Sequence, residues 1–183
     1  MMEIFDVVDE YGNPTGETVT REKAHLEGIR HHTAHLWILR KKDGKTQVLL
    51  QKRCMTKASY PGLYDISSAG HIPAGCDYVE SALRELNEEL GVSAEPDDLV
   101  PVWARTIHVD MVFGGKPFHD RQYSKVFAMW LDREESEFTC QPEEVECVRW
   151  MDLDECLTAV EQNTIPNCIF LPELQKVKEV MCK

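Results

Sequence analysis

The chain has 183 residues, is 43% hydrophobic, and sets 32 acidic against 20 basic residues for a formal net charge of −12. That balance excludes nucleic acid polymers and anionic membranes as partners, since both need a basic face. No run of apolar residues is long enough to cross a membrane as a helix, and the length suits one globular domain with a sizeable core.

At the N-terminus, MMEIFDVVDEYG is acidic where a secretory signal would be basic, so a cytoplasmic location is expected. Residues 3–8 read as a strand, Tyr11-Gly12-Asn13-Pro14 as a turn, and 16–20 as a returning strand. Thr20 can cap a short helix that runs through Glu27 and stops at Gly28. Residues 31–39 are β-prone, and Asp43-Gly44 joins them to 46–53 as a hairpin. Of the histidines at 31, 32 and 35, strand alternation lets two share a face.

Arg53 and Lys57 fall between a strand end and the Pro61-Gly62 turn, where cationic side chains can reach a cleft and hold a diphosphate. Residues 63–68 should form one more strand, leading to a Gly- and Pro-punctuated loop at 70–76. Asp77 stands three residues before Glu80, the spacing of a capping box, so a helix is expected from Tyr78, ended by Gly91. Val79, Ala82, Leu83, Leu86 and Leu90 give it an apolar face, and Glu80 can pair with Arg84.

On that helix Glu85, Glu88 and Glu89 stand at i, i+3 and i+4. Their Cβ atoms then lie roughly 5–6 Å apart, and like charges so close call for a cation. Carboxylates with a Gly-rich loop suit Mg²⁺, a hard ion that takes oxygen ligands and keeps positions for water and substrate phosphates.

Farther on, 100–112 and 122–131 read as strands separated by Gly114-Gly115, and 141–146 as an acidic loop containing Glu143 and Glu144. A strand at 147–151, a helix capped by Asp152, and an amphipathic helix over 171–182 complete the chain. Seven cysteines with no CxxC pair read as reduced thiols rather than a disulfide frame or zinc site.

Residues 70–92, GHIPAGCDYVESALRELNEELGV, resemble the Nudix box, G-x5-E-x7-R-E-U-x-E-E-x-G-U with U aliphatic. Gly70, Arg84, Glu85, Leu86, Glu88, Glu89, Gly91 and Val92 match; Cys76 stands where the family has glutamate. The resemblance implies an α+β fold, a mixed sheet sandwiched between helices, and one Nudix domain over 1–183 with a hairpin-and-helix extension at 1–30. It implies hydrolysis of a nucleoside diphosphate linked to a further group X, with Mg²⁺ as cofactor and Mn²⁺ able to substitute. Glu85, Glu88, Glu89 and the Gly70 carbonyl would be metal ligands, Arg84 would orient the glutamates, and Glu143 or Glu144 would serve as base or extra ligand. Asp77 is a candidate to stand in for the glutamate missing at Cys76.

The segment PGLYDISSAGH further resembles Nudix proteins of the isopentenyl diphosphate isomerase type. Arg53 and Lys57 match positions that hold diphosphate there, and His31 and His71 match metal-ligand histidines. The isomerases' cysteine and two later glutamates are replaced by Ala69, Asp120 and Gln122, removing the groups that would move protons on carbon. A hydrolase acting on a small diphosphate is therefore favoured, with a homodimer as an allowed assembly. The alternatives are a catalytically weak nucleotide- or protein-binding module and, behind it, the isomerase.

Overall fold

A computed structural model describes residues 3–183. The elements are β1 (Ile4–Val8), β2 (Pro14–Thr20), α1 (Arg21–Glu27), β3 (His31–Lys42), β4 (Lys45–Arg53), β5 (Tyr64–Asp65), β6 (Ser68–His71), α2 (Tyr78–Leu90), β7 (Val100–Phe113), β8 (Lys116–Trp130), β9 (Val145–Asp152), α3 (Leu153–Glu161) and α4 (Leu171–Met181). The fold is α+β. Strands β5-β4-β3-β8-β7 form the main path of a mixed sheet; β6 adds to β3 and β9 to β4. β3 and β8 run parallel while the remaining pairs are antiparallel.

Strand alternation divides the core. Ala34, Leu36 and Ile38 of β3 face α2 and pack with Leu49, Leu86, Leu90 and Phe127. Trp37 and Leu39 face the other way, toward Leu153, Leu174 and Val177 of α3 and α4. Each fully buried aliphatic side chain in these layers contributes roughly 1.5–3 kcal/mol.

The strand expected over 63–68 is split. β3 and β4 pair only from Leu39↔Val48 to Lys42↔Lys45. At the next rung Ser67 Oγ accepts from the Ile38 N–H (2.8 Å) and donates to the Leu49 carbonyl (2.7 Å), replacing the strand-to-strand bonds. The sheet forks there: β5 stays on β4 and β6 crosses to β3.

Sequence-local signals form where expected. Thr20, Asp77 and Asp152 cap α1, α2 and α3, and Gly28 and Gly91 end α1 and α2 with φ of 67° and 65°. Gly114 and Gly115, both at positive φ, make the tight turn of the long β7–β8 hairpin. The N-terminal hairpin fastens to the loop preceding α2: Ala74 N–H donates to Ile4 O (2.9 Å), and Gly75 N–H donates to Asp6 Oδ2 (2.8 Å). No helix among the described residues is long and apolar enough to cross a membrane.

Candidate active site

β6 and α2 bring the box carboxylates to the backbone. Gly70 faces Glu85 so closely that a Cβ there would lie 2.3 Å from Glu85 Cγ and Cδ. Arg84 Nη2 donates to Glu85 Oε1 at 2.7 Å, so the arginine holds its neighbour rather than pairing with Glu80 as the helical spacing suggested. About one turn is enough to separate the three glutamates: Glu89 is buried, Glu85 is half-buried and Glu88 is exposed. Ser68 Oγ donates to Glu89 Oε2 at 2.6 Å, and the Ala69 N–H also reaches that carboxyl.

Burial pushes Glu85 up to about 7, with Arg84 opposing and Glu88 adding to the rise. Burial likewise pushes Glu89 up to about 8 against the Ser68 hydrogen bond, with Glu85 and Glu144 adding. Among the described residues Arg84 is the one cation paired with this group. Two buried or half-buried carboxyls reached from one strand, Glu85 at Gly70 and Glu89 at Ser68, with Arg84 as the one paired cation, fit a hard divalent cation.

A second segment closes on this centre. Gln141 N–H donates to Glu89 O (2.9 Å) and Thr139 N–H to Leu90 O (3.1 Å), hanging the acidic loop from the end of α2. Cys54 N–H donates to Glu144 O (2.9 Å), and Lys57 Nζ pairs with the Glu144 carboxylate. Glu143 makes no such contact among the described residues. Arg53 is turned to a different task from the one expected: Nη1 donates to Asp65 Oδ2 (3.0 Å), while Nε and Nη2 donate to Ser59 O (3.2 and 3.0 Å). Its guanidinium ties the 54–63 loop to β5, leaving Lys57, paired with Glu144, as the cation this loop offers the site.

Cys76 is exposed, and its N–H donates to Pro73 O at 3.0 Å. Asp77 does not stand in for the missing glutamate. Its Oδ1 accepts from Val79 N–H at 2.8 Å, and the helix start occupies it. No reciprocal bond from Glu80 completes a capping box.

On the sheet face opposite α2, His25, His31 and His71 bring ligand nitrogens within 4.8 Å of one another. His31 Nδ1 donates to Ile29 O at 2.8 Å, which leaves its Nε2 unpaired. Both His25 nitrogens and His71 Nε2 are also buried without a hydrogen-bond partner. Burial depresses His25 to about 3 and His31 to about 4, with neighbouring cations and His31 itself adding to the effect on His25; burial lowers His71 well below its usual value. Phe5 stacks on His31 and His71 at 4.9 and 4.8 Å. Neutral imidazoles converging this way can hold a borderline divalent metal. His32 and His35 lie elsewhere. His25 was missed because nothing local to α1 signals that it meets β3 and β6.

Beside them Gln122 Nε2 donates to both Asp120 oxygens at 2.8 Å, and Thr33 Oγ1 donates to Gln122 Oε1 at 3.0 Å. Tyr60, at φ 51°, contacts Phe113 edge-on and Phe113 contacts Phe118.

The NUDIX domain family model matches residues 30–169. An uncharacterised Nudix hydrolase of Clostridium acetobutylicum is 32% identical over 155 residues, 84% of this chain and 71% of that protein. Nudix hydrolase 3 of Arabidopsis thaliana is 36% identical over the same share of this chain, which spans only 20% of that protein. Among solved structures, a Deinococcus radiodurans protein superposes with a TM-score of 0.68 at 18% identity, covering 90% of this chain and 92% of that one. The NUDIX domain of Shewanella oneidensis NrtR, complexed with ADP ribose, gives 0.59 at 18% identity over 82% and 87%. With Glu85 set against Gly70, Glu89 against Ser68 and a family model covering most of its length, the chain belongs to the Nudix family and is a Nudix-type diphosphate hydrolase.

Proposed function

We propose that the protein hydrolyses the diphosphate of a small nucleoside diphosphate derivative by water attack, with Mg²⁺ as cofactor and Mn²⁺ as a substitute. The observation that carries this reading is that one short strand, β6, touches both Glu85 and Glu89, through Gly70 and Ser68. Glu85, Glu88, Glu89 and the Gly70 carbonyl would hold the metal. When bound, Mg²⁺ neutralises phosphate oxygens and acidifies a bound water.

The chain's own residues do the rest. Arg84 fixes the Glu85 carboxylate, Glu144 takes the proton of the attacking water, and Lys57 turns from Glu144 to the substrate's phosphates. Arg53 supports this by holding the loop that carries Lys57. The Shewanella domain was solved with ADP ribose, itself a nucleoside diphosphate derivative, which supports the substrate class. Ala69, Gln122 and the absence of a thiol beside them favour hydrolysis over isomerisation.

Purified protein with Mg²⁺, offered nucleoside diphosphates, nucleotide sugars, dinucleotides and prenyl diphosphates, should release a phosphate-bearing product from at least one nucleoside diphosphate derivative. Release from none of them sinks the proposal and leaves a binding module in its place.

A further inference from the structure

β3 presents His31, Thr33, His35 and Trp37 to one face, and between His35 and Trp37 that face changes from polar to apolar. Glu173, in the first turn of α4, is 1% exposed and lies under this boundary. Trp37 Nε1 donates to its Oε1 at 2.9 Å, and Arg105 Nε lies 3.2 Å from Oε2. His35 Nδ1 reaches both oxygens, at 3.0 and 3.1 Å. Burial alone would raise Glu173, but His35, Arg105 and Trp37 outweigh it and hold the carboxyl below its usual value.

Trp37 and Arg105 already compensate a buried carboxylate. His35, the second hydrogen-bond donor beside Trp37 and placed across both oxygens, is itself affected by the contact. In the neutral imidazole, an ionised acceptor at Nδ1 keeps the one proton there and leaves the lone pair on Nε2, pointing away from α4. Among the described residues Nε2 has no hydrogen-bond partner, and the side chain is 13% exposed.

Position gives that lone pair a purpose. His35 stands opposite Ala69 across the β3–β6 pair, where facing Cα atoms are roughly 5 Å apart. Ala69 adds only a methyl, donates its N–H to Glu89, and precedes Gly70. The imidazole is therefore one strand away from β6, whose Ser68 and Gly70 meet Glu89 and Glu85 of α2, and lies on the opposite face of the sheet. Asp120, held by Gln122, is within electrostatic reach of His35 and offers further acceptor oxygens.

We propose that His35, with Glu173 as its positioning residue, contacts the group X beyond the diphosphate, its Nε2 accepting a hydrogen bond from a hydroxyl or amino hydrogen of X. This rests on the hydrolase reading above and narrows it: X is a donor-bearing polar group such as a sugar, and an apolar chain is rejected because it leaves these acceptors unpaired.

The test uses the full chain with Mg²⁺ and two esters of one nucleoside diphosphate, a sugar ester and an alkyl ester. Wild type should prefer the sugar ester. His35→Phe should lower the sugar-to-alkyl ratio in kcat/KM at least tenfold, mainly by raising KM for the sugar ester, and His35→Gln, whose amide oxygen can occupy the place of Nε2, should restore most of it. In ¹⁵N spectra His35 should carry its proton on Nδ1, Glu173→Gln should mix the tautomers, and ribose 5-phosphate should shift Nε2. An unchanged ratio in His35→Phe, or an Nε2 that ignores ribose 5-phosphate, overturns the proposal. If wild type hydrolyses neither ester yet ribose 5-phosphate shifts Nε2, the contact stands and the hydrolase reading falls.

Discussion

The Glu85 carboxyl lies against Gly70 with no room for even a methyl group between them: a Cβ on Gly70 would meet Oε1 at 2.6 Å as well as Cγ and Cδ at 2.3 Å. Gly70 has no positive φ, so close approach and not backbone freedom demands glycine here. Gly70→Ala should displace Glu85, cost about 1–3 kcal/mol by overpacking, and reduce kcat/KM by at least ~10²-fold. Thermal unfolding and steady-state kinetics read both; an alanine variant with native activity would mean that Glu85 is not needed where it stands.

Glu88→Gln and Glu89→Gln should each lower kcat/KM at least ~10²-fold, about 2.7 kcal/mol of transition-state stabilisation. Their effects on the metal-free protein should differ, because Glu89 is buried and Glu88 exposed. Folding at neutral pH must protonate at 89 a carboxyl that is ionised when unfolded, and glutamine removes that cost, so Glu89→Gln should raise the metal-free Tm while Glu88→Gln leaves it nearly unchanged. Small kinetic effects from both would refute the ligand assignment.

Two sets of groups push the pH dependence of the metal-free protein in opposite directions. Glu85 and Glu89 titrate near 7 and 8 when folded, against 4.5 ordinarily, so their contribution to stability is complete below about pH 4.5 and is lost as pH rises toward 8. His25 and His31 are depressed from 6.5 to about 3 and 4, so theirs is complete above about pH 6.5 and is lost as pH falls toward 3. Urea midpoints in EDTA should peak between about pH 4.5 and 6.5, and Mg²⁺ should move the peak upward by favouring the ionised glutamates. Metal-free protein that is most stable at pH 8 would contradict this balance.

Ser67→Ala should cost about 2–4 kcal/mol, since it leaves the Ile38 N–H and the Leu49 carbonyl unpaired in a dry core. Chemical denaturation measures it. A cost under 0.5 kcal/mol would show that the strands close across the gap by themselves.

Cys76→Glu tests the odd position of the box. The side chain is exposed, so a glutamate fits there without repacking. The substitution should lower the Mg²⁺ concentration for half-maximal activity several-fold; an identical Mg²⁺ titration would make this position structural only.

Much of the chemistry was legible because it is local. Caps at Thr20, Asp77 and Asp152, the Asp43-Gly44 and Gly114-Gly115 turns, and the spacing of Glu85, Glu88 and Glu89 depend on residues a few positions apart. Choices among partners were not legible. Arg84 had Glu80 and Glu85 equally within reach, and Arg53 could face a cleft or Asp65; tertiary packing decided both. His25 meets His31 and His71 only after α1, β3 and β6 have docked. Nothing in the amphipathic helix expected over 171–182 singles out Glu173, whose partners Trp37, His35 and Arg105 come from two distant strands.

The fork at Ser67 sorts the catalytic parts by branch. One branch carries Gly70 with the carboxylates of α2; the other carries the Lys57 loop and, through β9, the strand that follows Glu144. A single hydroxyl thus works as a caliper: its size sets how far apart the two branches stand. Substitutions at 67 that keep the hydroxyl but change its reach, such as threonine, shift the spacing between the carboxylates of α2 and the Lys57 loop from a position inside the core.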